Sequence, residues 1–180
     1  PSGDGRMYEL RKTEMGEFIV PKYNLVEFSQ IRAGFIPALP LIPMALLQKI
    51  ISFFRCYMSE AQEFEVLAHI LWDKAEQEFT VHIPKQAVSK ARVDADLTQD
   101  HLPEERYLHY ADIHSHNSMA ARFSFVDDQD EQATRIYIVL GRLDEFFPEI
   151  SVRMSCGGIY QELDPGMVIE SLGAVFPHDW

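Results

Sequence analysis

The sequence predicts an α/β protein built on a mixed β-sheet flanked by helices, and three observations carry that expectation. One stretch after Pro43 has helical spacing: Leu47, Ile50, Ile51, Phe54, Tyr57 and Met58 follow the i, i+3, i+4, i+7 pattern of a single buried face. Short β-prone runs separated by turn formers recur after it. The chain of 180 residues, 47% hydrophobic and 12% aromatic, suits one domain with a sizeable core.

Bulk properties exclude several classes. No run of about 18 apolar residues is present, so a membrane span is not expected, and the first residues lack the apolar core of a signal peptide. The two cysteines, Cys56 and Cys156, are too few for a disulfide framework and form no CxxC pair, which points to a cytoplasmic protein. A net charge of -12 lacks the basic footprint of a nucleic-acid binder. Neither a nucleic acid nor a membrane is therefore an expected partner.

Taken in order, Pro1–Arg6 is a frayed start set aside from fold reasoning. Residues 7–40 hold short apolar runs such as Glu17–Val20 before Pro21, which suggest one or two edge strands. An extended connector with prolines at 37, 40 and 43 follows. The helix from Pro43 should run about four turns. Phe64–Trp72 and Phe79–Ile83 read as a hairpin around the polar turn Asp73–Gln77. Glu65 stands out there, because a carboxylate in a buried strand costs several kcal/mol unless it is paired or coupled to a metal. Val88–Val93 suggests a short strand, and Asp94–Tyr110 a long acidic loop. Tyr107–Ile113 leads as a strand into His114, Asp127–Arg135 looks like a helix start, and Ile136–Leu140, Ile150–Met154 and the segment after Cys156-Gly157-Gly158 return to sheet.

The chemistry concentrates in Asp112-Ile113-His114-Ser115-His116-Asn117 and Phe123-Ser124-Phe125-Val126-Asp127. Histidines at i and i+2 on an extended backbone point to one side, so His114 and His116 can reach one ion. Asp127, brought back by the seven residues Asn117–Phe123, is the candidate third ligand. Two histidines, an aspartate and a water make a tetrahedral zinc site with one open position, as in catalytic zinc centres. A His-x-His pair alone is more often a surface or core pair than a metal site, so the remaining spacing decides. His109, five residues before His114, is not expected to be a ligand.

His-Ser-His, seven residues, Ser, two residues, Asp over residues 114–127 resembles, in every defined position, the signature of the JAMM (MPN+) zinc metalloprotease family. The resemblance extends loosely over residues 65–155. It implies a cytidine-deaminase-like JAMM/MPN core over residues 43–180, with residues 1–42 as an N-terminal extension. It also implies Zn2+ bound by His114, His116 and Asp127. In this family a glutamate on the strand after the first helix, in a Glu-x-x-Gly-x-Leu pattern, is the general base. Glu65 fits with Ala68 and Ile70 in the Gly and Leu positions, whereas the competing Glu63 would put the branched Val66 at the small position. Ser124 would donate to the oxyanion. The bond cleaved would be the amide after the C-terminal tail of a ubiquitin-like or sulfur-carrier-like β-grasp protein. Asn117–Ala121 and Asp128–Gln132 resemble the prokaryotic JAB-type branch, in its mobile-element PRTRC protein A subset.

Three other classes were weighed. Metallo-β-lactamase-like hydrolases need His-x-His-x-Asp-His, and Ser118 and Met119 stand where the last pair would be. A PHP-type phosphoesterase would use Asp112, His114 and His116, but that motif opens a longer barrel with further histidine ligands, and only His178 follows here. A non-catalytic MPN-type scaffold would ordinarily have lost the ligands, all of which are present.

Overall fold

The computed structural model describes residues 3–23, 33–59, 63–88, 93–95 and 102–171. The chain forms two compact units, Pro1–Gly34 and Phe35–Trp180, a boundary earlier than the expected 42/43. Ile42 explains the difference: it is fully buried, forms a parallel bridge with Ile169 and donates its N–H to the Val168 carbonyl at 2.7 Å. The first unit is a hairpin of β1 (Tyr8–Thr13) and β2 (Gly16–Pro21), with Thr13 opposite Gly16. Gly16 has φ 135°, backbone that favours glycine at this tight reversal.

The second unit opens with α1 (Met44–Arg55). Pro43 precedes it, and the exposed N–H of Met44 is capped from far along the chain by the Glu170 carboxylate at 3.0 Å, an anion at the positive helix end. Leu47, Ile50 and Phe54 are its buried stripe. The helix is shorter than expected: after Arg55 the chain turns, Met58 bridges Glu63, and Tyr57 is exposed. Arg55 satisfies carbonyls at Leu143 (2.9 Å) and Glu145 (2.6 Å), which fixes this end of the helix to the loop that holds those two residues.

The sheet has six strands in the order β10-β9-β8-β7-β3-β4. These are β3 (Leu67–Asp73), β4 (Glu78–His82), β7 (Tyr107–Ser115), β8 (Arg135–Gly141), β9 (Glu149–Cys156) and β10 (Ile159–Leu163). A separate two-stranded piece pairs β5 (Gln86–Val88) with β6 (Val93–Ala95), within the region expected to hold one short strand and the start of the acidic loop; residues 89–92 and 96–101 lie outside the described residues. All neighbours in the six-stranded sheet are antiparallel except β7 and β8. The fold is thus mixed α/β, and the helices among the described residues are α1, the short α2 (Phe125–Asp130) and a 3-10 turn at Pro165–Met167. No helix among the described residues is long and apolar enough to cross a membrane.

The two faces of the sheet differ, as strand alternation requires. Ala68, Ile70, Trp72, Ala111, Ile113, Ile136, Ile138, Leu140 and Val152 join Leu47, Ile50 and Phe54 of α1 in the core. The opposite face carries His69, Asp112, His114, Tyr137 and Arg153, which the register sets side by side: His69 opposite Asp112, Asp112 opposite Tyr137, Tyr137 opposite Arg153. A bulge inserts Tyr110 between the pairs Ile70–Ala111 and Leu71–His109. It returns His109 to the face of Asp112, which strict alternation would deny it.

The expected strand from Phe64 begins only at Leu67, so Glu65 lies just before β3. Side chains take over the ladder there: the Val66 N–H donates to Ser115 Oγ at 3.0 Å, and the Leu67 N–H donates to Gln86 Oε1 at 2.8 Å. At the far end of β8, a Cβ on Gly141 would overlap the backbone of Met119, Ala120 and Ala121. Gly141→Ala is therefore expected to destabilise the protein by about 1–3 kcal/mol through overpacking, measured by denaturant unfolding. Unchanged stability would mean that residues 119–121 do not rest on β8.

Candidate metal centre

β7 ends at Ser115, and the chain then leaves the sheet through His116 and Asn117, whose φ of 51° is a left-handed turn that asparagine tolerates. The His116 N–H donates to the Leu140 carbonyl at 2.7 Å, so the second histidine is pinned to the parallel neighbour strand. His114 Nε2 and His116 Nε2 lie 3.1 Å apart. The segment stays stitched to the end of β8 by Leu143 N–H to Asn117 O and Arg142 N–H to Met119 O, each 2.8 Å. Asn117 is buried, and neither its Oδ1 nor its Nδ2 has a partner among the described residues.

Asp127 returns on α2, two residues later in the helix than the expected helix start at Asp127 would place it. Ser124 is the N-cap, and the pair forms a capping box: Asp127 N–H donates to Ser124 Oγ at 3.2 Å, and Ser124 N–H donates to Asp127 Oδ2 at 2.5 Å. This aims the carboxylate at the histidines, with Oδ1 3.4 Å from His114 Nε2 and Oδ2 3.9 Å from His116 Nε2. Three donor atoms therefore converge on one point, in a group that could hold a metal ion. Burial pushes the His114 pKa down, which keeps its imidazole neutral with a lone pair to offer.

Glu65 is buried beside this point. Loss of water around the carboxyl, and then the charge of Asp127, raise its pKa from 4.5 to about 7. Ser115, between the two histidines, fixes its position: besides accepting from Val66, it donates its own N–H to the Val66 carbonyl at 3.0 Å. Glu63 has another task, since its Oε2 accepts from Ser118 Oγ at 2.8 Å and ties down the loop after the histidines.

Two residues at the centre escaped the sequence reading. Glu131, at the C-cap of α2, places Oε1 3.6 Å from His114 Nδ1. Arg153 on β9 donates to Glu131 Oε2 from Nη2 at 2.6 Å and from Nε at 3.0 Å. The i, i+4 spacing from Asp127 to Glu131 was the available signal, because it puts both on one helix face.

A second group, His69, His109 and Asp112, lies further along the same sheet face. Its geometry is that of a hydrogen-bonded ion network. His109 Nε2 is 2.6 Å from Asp112 Oδ1, closer than two donors on one tetrahedral ion, which sit about 3.3 Å apart for bonds near 2 Å. Arg135 Nη1 completes it, 2.8 Å from His109 Nδ1 and 3.2 Å from Asp112 Oδ2. Asp112 is thereby committed to this network and not to His114 and His116, unlike the arrangement a PHP-type site needs.

No protein-family model and no curated protein matches the chain.

A carboxyl whose folded pKa is raised opposes folding in its charged form. The penalty from Glu65 is absent below pH 4.5, grows between 4.5 and about 7, and is full above that. In metal-free protein Glu65→Gln should therefore raise stability at pH 8, by up to about 3 kcal/mol from the linkage, and change it little at pH 4.5. Denaturant unfolding at the two pH values measures this. An equal effect at both would show that the carboxylate charge is not what burial penalises.

Proposed function

We propose that this protein is a zinc-dependent peptidase or isopeptidase of the JAMM (MPN+) type, acting in the cytoplasm on the amide bond after the C-terminus of a ubiquitin-like β-grasp protein. The observation that carries the proposal is the convergence of His114 Nε2, His116 Nε2 and an Asp127 oxygen beside the buried carboxyl of Glu65. His114 Nε2 stands 3.1 Å from His116 Nε2 and 3.4 Å from Asp127 Oδ1, close to the roughly 3.3–3.6 Å between ligands at about 2.0–2.2 Å on a tetrahedral zinc, while the other oxygen, Oδ2, is 3.9 Å from His116 Nε2. The donor set, two imidazoles and one carboxylate, leaves one position open, as a catalytic zinc requires.

A zinc ion bound there would supply a water acidified toward neutrality and a Lewis acid for the scissile carbonyl. Glu65 then takes a proton from the attacking water and returns it to the leaving amine. A pKa of about 7 in the free protein suits a group that must both accept and donate near neutral pH. Ser124 accepts the Asp127 N–H with its oxygen, which leaves its hydroxyl proton available for the developing oxyanion. The choice of a ubiquitin-like or sulfur-carrier-like substrate, and the assignment of residues 43–180 to a cytidine-deaminase-like JAMM/MPN core, follow the motif resemblance. The central mixed sheet with α1 on one face is compatible with that core.

The test is incubation with ubiquitin-like proteins fused through their C-termini to a reporter. Cleavage should be abolished by EDTA and restored by zinc. Glu65→Gln should lose at least about 10²-fold in kcat while keeping its metal, and Glu63→Gln should stay within a few-fold of wild type. Chelator-insensitive cleavage would exclude the zinc mechanism, and an active Glu65→Gln would exclude Glu65 as the base.

A further inference from the structure

Arg153 is buried, and its recorded partners include Glu131, beside His114, and Asp128, next to Asp127 on α2. Its Nη2 and Nε both donate to Glu131 Oε2, and its Nη1 donates to Asp128 Oδ1 at 2.5 Å. The guanidinium is also stacked between the rings of Phe123 and Tyr160, at 4.0 and 4.1 Å from their centroids. Asp128 neighbours Asp127 on α2, and Phe123 ends the segment that follows His116. Because both bonds to Glu131 go to Oε2, Oε1 is left facing His114 Nδ1. His116 has its own acceptor, with Nδ1 3.4 Å from the Ala120 carbonyl.

A buried ion pair is a poor way to gain stability, since its desolvation offsets most of its attraction and an apolar replacement often does as well. This pair stands directly behind one metal-ligand candidate and beside another. A ligating imidazole that uses Nε2 must carry its proton on Nδ1, and an acceptor at Nδ1 fixes that tautomer and the ring orientation. The structure places a carboxylate oxygen 3.6 Å from Nδ1, just outside hydrogen-bond distance, and holds that carboxylate from behind.

We infer that Glu131 and Arg153 are positioning residues of the metal centre. Glu131 closes from 3.6 Å to accept a hydrogen bond from the Nδ1–H of His114 when the ion is bound, keeping Nε2 turned toward the ion, and Arg153 fixes both Glu131 and the helix that presents Asp127. The inference rests on the proposal that His114, His116 and Asp127 hold a metal, and it adds the buried pair that sets the affinity for it.

The experiment is zinc affinity by chelator competition on wild type, Glu131→Gln and Arg153→Lys, paired with thermal unfolding of each protein without metal. Glu131→Gln should bind zinc about 10- to 100-fold more weakly, measured well below its metal-free unfolding midpoint, which loss of the charge opposite Arg153 lowers. Arg153→Lys should shift in the same direction, because an ammonium cannot reproduce the forked bonds and the stacking. In zinc-loaded wild type, long-range nitrogen–proton spectra should show His114 protonated at Nδ1. Zinc affinity of Glu131→Gln within about threefold of wild type, or His114 bound through Nδ1, overturns the inference and leaves the metal proposal standing. A wild-type protein that takes up no zinc overturns both.

Discussion

A parallel pair of strands cannot be closed by a tight turn; the chain must cross over, and here the crossover is the site. β7 and β8 are the one parallel pair in the six-stranded sheet, and residues 116–134 connect them. One face of the sheet is filled by α1, so this connection passes over the other. It leaves at His116, folds back through α2 and re-enters at Arg135, which places Asp127 above the end of the strand it left. The anchors are backbone bonds to the end of β8 and the close approach at Gly141, where no side chain fits. Strand order thus brings α2 over the end of β7, and the capping box of Ser124 and Asp127 then aims the carboxylate at the histidines.

The polar face carries an electrostatic load that the fold does not need for its own sake. Glu65, Glu131, Asp112, Asp127, His114 and Arg153 are gathered on or over one face, and burial raises the pKa of both Glu65 and Glu131. Buried carboxyls with raised pKa values weaken folding near neutral pH, and such costs concentrate where a site must hold a cation and move a proton. The core on the opposite face is built of apolar side chains, with the Tyr110 hydroxyl buried against it.

Much of this was legible in the sequence, for identifiable reasons. The helical stripe of Leu47, Ile50 and Phe54 and the apolar strands around Ile138 and Ile113 are local periodicities, and local periodicity is what burial on one face writes into a chain. His114, His116 and Asp127 are brought together by a loop of fixed length, so their spacing carried the geometry. Tyr57 and Met58 continue the helical stripe but lie past its end, because the bridge of Met58 to Glu63 is a tertiary event. His109 is not grouped with His114 and His116, as expected, but its meeting with Asp112 was not legible, since the bulge at Tyr110 resets the alternation and has no signature in the residues. Arg153 could not be found, because its role depends on which strand lies beside β8, and strand order is not written in local pattern.

The central claim is a metal held by His114, His116 and Asp127. Crystals of the protein supplied with stoichiometric zinc, with diffraction recorded on both sides of the zinc absorption edge, test it most directly. The expected result is one edge-dependent anomalous peak within bonding distance of His114 Nε2, His116 Nε2 and an Asp127 oxygen. No peak there, or a peak only among His69, His109 and Asp112, would contradict it.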